Sequence, residues 1–323
     1  MTRFIVRRLF VSIPVLLAIA VATFVLIQAL PGGPFSTMGE KDMPEPVRLI
    51  MEQRYGLDRP LAEQFLRYMG NLLRGDLGPM LHMPGQTVND VVARTLPVSL
   101  QLGVLALLLG FAIGIPAGLI AAWRRNTFVD HSATFFAVLG ASVPVVVLGP
   151  ALILLLGLRL DWLPIAFWGA EPPYFLGFLP RLTADFWRHA VLPVLVLGLG
   201  LSAGIARLLR ASMLEVLAED YTRTARAKGL REEWVLLRHA LKNAMIPLAT
   251  ILGPLLAGVL TGTFIVEQIF ALDGLGRKFV ESVGNREYFL LTSITLIYAL
   301  FLVAGNLLVD IMYAWLDPRI RFD

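Results

Sequence analysis

The sequence predicts an all-α polytopic membrane protein with six transmembrane helices, and two observations carry this prediction. Of the 323 residues, 57% are hydrophobic and only 16% are charged, whereas soluble domains have about 25% charged residues. The charged residues are also excluded from six long runs of the chain. A soluble protein could not bury so much apolar surface, so the lipid bilayer is the expected solvent.

The six uncharged runs are the candidate membrane helices, because a spanning helix needs about 20 apolar residues. They cover residues 9–30, 95–123, 132–158, 190–206, 243–266 and 288–309. The fourth run is the shortest, and we expect its helix to extend to Leu209 because the Arg207 side chain can snorkel to the interface. The apolar stretch 162–180 is predicted to be an interfacial loop, because four prolines and Glu171 interrupt it.

The first run resembles a secretory signal sequence, because Arg3, Arg7 and Arg8 precede it. Its length exceeds the ~7–15 apolar residues of a signal core, and no A-x-A cleavage site follows it. We therefore expect this segment to be a retained first membrane helix.

The distribution of basic residues predicts the orientation. If both termini lie in the cytoplasm, the segments on that side carry an excess of basic residues, and the segments outside carry a slight excess of acidic ones. The positive-inside rule describes this asymmetry. The sequence therefore predicts a multi-pass protein with cytoplasmic N- and C-termini.

This topology divides the chain into four parts. They are an N-terminal segment with the first helix at 1–30, an extracytoplasmic insert at 31–94, a five-helix core at 95–315 with a long cytoplasmic loop at 207–242, and a cytoplasmic tail at 316–323. The insert shows helical patterning at 46–55 and 61–73. The chain has no cysteine, so we expect neither disulfides nor a thiolate metal site.

Glycines spaced four residues apart predict close helix packing in three places. These are the set Gly110, Gly114 and Gly118, the pair Gly200 and Gly204, and the pair Gly258 and Gly262.

The segment 200–204 also matches the G-x-S-x-G pattern of serine hydrolases, with Ser202 as the nucleophile. An intramembrane serine protease is therefore an alternative from another class of protein. A nucleophilic serine needs a base, and none of the four histidines falls inside a predicted span. A hydrolase elbow also needs a strand–turn–helix context, so we favour helix packing here.

Asp310 interrupts the last apolar stretch near its cytoplasmic end. A carboxylate in the bilayer is costly unless it is paired, so we expect a basic partner nearby rather than a proton relay. The sequence contains no G-x-x-x-x-G-K-[ST] loop and no H-E-x-x-H pair. The chain is therefore not predicted to bind ATP phosphates or zinc through those motifs.

The segment 220–230 is the most informative part of the cytoplasmic loop. It predicts a helix, a break at Gly229 and a second helix that returns the chain to the membrane. Ala225 and Ala227 are small, so the first helix can form a compact knob for the groove of a soluble partner. The alternative is a basic loop beside anionic lipid headgroups, which charge alone would favour.

This segment resembles the cytoplasmic EAA loop of permeases from ATP-binding-cassette importers, in the form found in peptide and nickel importers. Ala225 and Gly229 match the alanine and glycine of that motif, and Arg223 stands where many other branches have glutamate. Arginine at that position is typical of the peptide branch.

The similarity extends along nearly the whole chain and is closest to the first, B-type permease subunit of this branch. Matching segments are 7–9, 30–32, 55–58, 75–78, 285–288 and 317–321. Residues 33–35, Pro79 and 87–91 resemble oligopeptide more than dipeptide permeases. Asp273 is a departure, since the family usually has proline before the glycine at 274.

The resemblance implies a type I importer bundle in a bacterial inner membrane. This chain would form the path for oligopeptide uptake with a second homologous permease, fed by an extracytoplasmic substrate-binding protein. Two ATP-binding subunits would carry ATP and Mg, with no cofactor on this chain, no covalent chemistry of its own and no nucleic acid partner. The ATPase-coupling residues would be Tyr221, Thr222, Arg223, Thr224, Ala225, Arg226, Ala227, Lys228, Gly229 and Leu230.

Polar residues within the spans are candidates to line the path. They are Ser202, Thr261, Thr263, Thr292 and Asn306. Serine and threonine also bond their own helix backbone, so a local role is the alternative for them. Gradient-driven secondary transport is the other transport mechanism to consider, but it would want membrane-embedded charge and often internal repeats. Neither is evident, and the residues do not identify the peptide.

Overall fold

The computed structural model describes residues 2–29, 33–35 and 44–316. This part of the chain is mostly helical, with two isolated β-bridges. The α-helices are α1 Thr2–Gln28, α2 Glu45–Tyr55, α3 Leu61–Leu72, α4 Val88–Trp123, α5 Phe128–Ser142, α6 Val145–Leu152, α7 Ala184–Leu217, α8 Asp220–Ala227, α9 Glu232–Trp234, α10 Leu241–Ala244, α11 Ile246–Gly262, α12 Phe264–Ile269, α13 Leu275–Asn285 and α14 Tyr288–Leu316. Two π-helical segments, Ile153–Arg159 and Val235–Ala240, extend α6 and join α9 to α10.

Four helices of the described residues are long and apolar enough to cross a membrane without interruption, namely α1, α4, α7 and α14. Two bent pairs raise the number of spans to six if each pair is one span. The predicted runs 132–158 and 243–266 fall on these bent pairs. The all-α fold class is therefore confirmed, but two of the six expected helices are broken.

The bends have local causes. Between α5 and α6 the axis turns by 95°, at the point where Val143 is extended (φ −80°, ψ 115°) and Pro144 follows. Proline disfavours helical backbone in the residue before it, so α5 cannot continue. The second pair bends by 46° between α10 and α11, where Pro247 occupies the first turn of α11.

The bundle has two ends, defined by the direction in which each helix runs. The insert end carries residues 44–87 together with α13, and the start of α4 and α14. The opposite end, which we call the α8 end, carries the start of α5 and the segment 218–244. The predicted insert helices are confirmed as α2 and α3.

Glycines bring α4 and α7 into backbone contact. A methyl group added at Gly114 would lie 2.8 Å from the carbonyl oxygen of Ser202, and one at Gly118 would lie 2.6 Å from that of Ala206. At Gly110 it would lie 3.0 Å from Leu201. The predicted packing role of these three glycines is therefore confirmed.

The prediction for Gly200 and Gly204 is wrong within this chain. Neither glycine has a neighbouring atom within 4 Å of an added methyl group, and the same holds for Gly258. The reason is that Gly198, not Gly200, lies on the face of α7 that meets α4, where an added methyl group would sit 3.1 Å from the Ala106 carbonyl oxygen. The surroundings of Gly262 lie outside the described residues.

The fourth span extends further than expected. Helix α7 continues past Leu209 to Leu217, so the first third of the predicted loop 207–242 is helix. The continuation is stabilised because Leu209 and Met213 are buried against Ala122, Leu236 and Ala244. Each buried apolar side chain of this size stabilises the fold by roughly 1.5–3 kcal/mol.

The apolar stretch 162–180 before α7 is irregular, as predicted. It does not lie only on the surface, because one of its side chains is buried in the bundle. Trp168 is buried, and its indole Nε1–H donates to Gln101 Oε1 on α4 at 2.6 Å. Its ring packs against Phe186 at the start of α7. The buried tryptophan thus fixes this loop to the bundle core at the insert end.

Asp310 has the basic partner that was expected. Its carboxylate lies 2.7 Å from Arg8 Nε, and the pair joins the α8 ends of α1 and α14. The tail 317–323, including the matching segment 317–321, lies outside the described residues, as does the match at 30–32.

Candidate functional site

The candidate site is the helical hairpin at residues 218–244, which follows α7 without a flexible linker. Only Ala218 and Glu219 separate α7 from α8. The buried Thr222 hydroxyl donates toward the carbonyl oxygens of Glu219 at 2.6 Å and of Leu217 at 3.0 Å. Such bonds satisfy carbonyls that a helix end leaves free, so Thr222 couples the start of α8 to the end of α7.

Arg226 closes the hairpin. Its Nε and Nη2 groups donate to the two carboxylate oxygens of Glu232 at 3.0 and 2.9 Å, and its Nη1 donates to the Leu217 carbonyl oxygen at 3.3 Å. A bidentate pair of this kind fixes geometry as well as adding energy. The hydrogen bonds to Glu232 hold the pKa of Arg226 above its ordinary value, so this link stays charged.

The turn between the two limbs depends on Gly229. Its φ is +77°, and its N–H donates to the Arg226 carbonyl oxygen at 2.9 Å. An added methyl group would meet nothing within 4 Å. The glycine predicted at this break is therefore required by the left-handed backbone, not by a close approach within the chain.

The two limbs are joined again at their base. Asn243 Nδ2 donates to Tyr221 Oη at 2.7 Å, which ties the first turn of α8 to the end of α10. The prediction of a helix, a glycine break and a second helix is confirmed by this geometry.

The two alanines of α8 have different surroundings. Ala225 is 6% exposed and faces the chain itself, whereas Ala227 is exposed. Ala225 therefore supports the hairpin from within, and Ala227 is part of its exposed surface. Within 221–230, the exposed residues are Tyr221, Arg223, Thr224, Arg226, Ala227, Lys228, Gly229 and Leu230.

This difference predicts a matched pair of variants. Ala225→Leu should destabilise the hairpin by ~1–3 kcal/mol, because the added atoms overpack a buried position. Ala227→Leu should leave the stability of the isolated chain unchanged. Thermal unfolding in detergent, with limited proteolysis at the hairpin, measures both. Equal stability of the two variants would contradict the inward placement of Ala225.

Three of the path-lining candidates form hydrogen bonds within the chain. Ser202 is 6% exposed, and its hydroxyl donates to the Leu199 carbonyl oxygen at 2.8 Å, while Thr263 donates to Glu267 at 2.7 Å. Thr292 donates to the Tyr288 carbonyl oxygen, and Asn306 is exposed on α14 beside α1. The side chain of Thr261 lies outside the described residues.

Sequence reasoning missed three buried carboxylates. Asp130 is 1% exposed and forms a bidentate pair with Arg210, at 2.6 and 2.7 Å, which fastens α5 to α7 above the hairpin. Glu287 accepts from the backbone N–H groups of Leu81 and His82, both at 2.8 Å. The third, Glu267, lies between α4 and α13. Each lies at the edge of an apolar run. A charged residue at that position looks like the ordinary end of a membrane span, so its burial could not be predicted.

Comparison with known proteins gives a consistent result over the full chain. The family model "Binding-protein-dependent transport system inner membrane component" matches residues 114–322, and the model of its N-terminal region matches residues 1–102. The dipeptide transport system permease protein DppB of Bacillus subtilis is 40% identical over 321 residues, covering 99% of this chain and 98% of that protein.

Two further relatives are described as oligopeptide transport system permeases. OppB of Salmonella typhimurium is 38% identical and OppB of Haemophilus influenzae is 37% identical, each with full coverage of both chains. Among solved structures, the MetNI methionine ABC transporter aligns with a TM-score of 0.49 and 16% identity, over 66% of this chain and 92% of that one.

Proposed function

Because this chain belongs to the family of binding-protein-dependent transport system inner membrane components, we propose that it forms one half of a peptide-conducting path and is driven through the hairpin at 218–244. It is a permease subunit of an ATP-binding-cassette importer, a membrane transport component and not an enzyme. Peptides as the substrate class are supported by the full-length similarity to dipeptide and oligopeptide permeases.

The single observation that carries the coupling role is the rigid continuity from α8 to α7. Thr222 and Arg226 both bond the Leu217 carbonyl oxygen at the end of α7. Helix α7 has 34 residues and is therefore about 50 Å long. A force on α8 thus passes along the whole length of α7.

The α4–α7 contact carries that motion into the bundle. Backbone atoms of the two helices touch at Gly114 and Gly118, and packed interfaces of this kind move as units rather than deforming. In the proposed cycle, two partner ATPases bind ATP and Mg and close. Their movement displaces the hairpin, and α7 and α4 tilt together so that the path opens alternately to each side.

The exposed surface of the hairpin suits a soluble partner. Arg223 and Lys228 are exposed basic residues of this segment, and the apolar side chain of Leu230 is 42% exposed. A short helix that presents a mixed surface is the usual element for docking into a groove. We place the partner ATPases here and a substrate-binding protein at the insert end, with a second permease completing the path.

Reconstitution tests the proposed function. The isolated chain should show no ATPase activity, and peptide uptake into vesicles should require the second permease and both ATP-binding subunits. ATP hydrolysis by the purified chain, or uptake that persists when the ATP-binding subunits are omitted, would contradict the proposal. A variant of those subunits that binds but cannot hydrolyse ATP is the matched control.

The orientation with both termini in the cytoplasm gives a separate prediction. The chain has no cysteine, so single introduced cysteines report their side without background. Cysteine at positions 60, 170 and 280 should react with an impermeant maleimide in intact cells, and cysteine at 126 and 232 only after permeabilisation. External labelling at 232 would place the hairpin on the wrong side for an ATPase.

A further inference from the structure

The Glu267 carboxylate is completely buried but has no basic side chain within ion-pair distance among the described residues. Its oxygens instead accept hydrogen bonds from two hydroxyls and from backbone N–H groups of α13. Oε1 accepts from the hydroxyls of Ser99 at 2.6 Å and Thr263 at 2.7 Å, and Oε2 accepts from the Arg277 backbone N–H at 2.7 Å. Donors of this kind offset part of the cost of burying a carboxyl group.

These donors come from three separate parts of the bundle. Ser99 lies in α4, Thr263 is the residue at which α11 meets α12, and Arg277 is in the first turn of α13. The Ser99 oxygen also accepts the Leu275 backbone N–H at 2.8 Å. The carboxylate and the hydroxyl together therefore hold the N-terminal turn of α13, an end that attracts negative charge.

The backbone around α13 is shaped to admit this carboxylate. A methyl group added at Gly274 would overlap the Glu267 carboxyl atoms, and one at Gly276 would lie 3.0 Å from the Phe264 backbone nitrogen. Side chains at either position would push α13 away from α12. Outside this buried cluster, Asp273 pairs with Arg94 on α4 at 3.0 Å, so a second, exposed link spans the same joint.

We propose that Glu267 is a positioning residue that locks α13 to α4 and α12, so that the insert end of the bundle moves as one body during transport. The proposal rests on the proposed function, because a coupled motion is meaningful only in a transporter. Helix α4 receives the motion of the hairpin through α7, and Glu267 passes it to α13. Without the lock, α4 could tilt while α13 stays behind, and ATP would be hydrolysed without delivery of peptide.

Glu267→Gln tests the lock within the assembled complex. Glutamine can still accept the two hydroxyl bonds through its oxygen, but its NH2 group then faces the Arg277 N–H, donor against donor. We expect hydrogen exchange at the amides of residues 275–277 to accelerate at least tenfold. We also expect peptide transported per ATP hydrolysed to fall at least fivefold. Glu281→Gln is the matched control, because the Glu281 side chain is 37% exposed and its ion-pair partners among the described residues are Arg277 and Lys278.

A second pair of variants keeps the proposal testable if Glu267→Gln fails to assemble. Ser99→Ala removes the hydroxyl that joins Glu267 to the Leu275 N–H, whereas Ser99→Thr retains it. Faster exchange and lower coupling in Ser99→Ala, with rescue in Ser99→Thr, would support the lock. Unchanged exchange in both Glu267→Gln and Ser99→Ala would overturn it, as would accelerated exchange with an unchanged transport-to-ATP ratio. Hydrogen exchange at residues 275–277 can be measured without transport. It would therefore still test the lock if the proposed transport function were wrong.

Discussion

Gly229→Trp is expected to reduce ATP-driven peptide uptake at least tenfold while leaving the membrane helices intact. Left-handed backbone costs a residue with a side chain about 1–2 kcal/mol, and Gly229 has φ +77°. The indole would also project into the open space beside the turn, where we place the docked ATPase. Uptake and ATPase activity in reconstituted vesicles, with co-purification of the ATP-binding subunits, measure the effect.

Two smaller substitutions separate the causes. Gly229→Asn should retain most of the activity, because asparagine tolerates left-handed backbone better than other residues with a side chain. Gly229→Ala should fall between them, since it brings strain without bulk. If all three variants assemble and transport at the normal rate, the hairpin is not the coupling surface. The segment would then have to be interpreted as a basic loop that faces lipid.

Asp130→Ala is expected to destabilise the chain by roughly 3 kcal/mol, the lower end of the usual cost of breaking a buried ion pair. The estimate is at the lower end because the Arg210 side chain remains 30% exposed and can be hydrated in part. Asp130 also accepts the Asn126 N–H at 2.9 Å, so the turn before α5 would lose this hydrogen bond. The unfolding midpoint in detergent should fall on the order of 5–10 °C.

The comparison variant is Glu233→Gln, because Glu233 pairs with Arg231 on the exposed surface of the same end. Exposed pairs contribute about 0–1 kcal/mol, so its midpoint should barely change. Adding Arg210→Met to Asp130→Ala should recover part of the loss, because no partly buried cation is then left without its partner. A midpoint for Asp130→Ala equal to that of Glu233→Gln would show that the buried pair does not hold α5 to α7.

The sequence predicted the features that depend on local pattern. Apolar runs located the spans, the partner of Asp310 followed from the cost of a lone carboxylate, and Gly229 marked the turn of the hairpin. The closeness of α4 and α7 followed from the spacing of Gly110, Gly114 and Gly118. In each case the physical cause lies within one segment of the chain, or in a residue type that can serve few other structural roles at that position.

What depends on distant contacts could not be predicted in this way. Gly200 and Gly204 have the same spacing as the packing glycines, but the rotation of α7 about its axis decides which glycines meet α4. Glu267 is bonded by Ser99, which lies 168 positions earlier, and nothing in the local sequence connects them. Pro144 did carry a local signal for the bend after α5, but an unbroken apolar run concealed it.

That bend has a consequence for what surrounds the protein. A helix that stops at Ser142 leaves its last carbonyl groups without helical partners, and hydrocarbon cannot satisfy them. Irregular backbone at membrane depth persists only where protein or water solvates it. If the α5–α6 pair is one span, the corner around Pro144 therefore marks a side of the bundle from which lipid is excluded. In that case the position of Pro144 identifies the face of this subunit that is covered by protein or water.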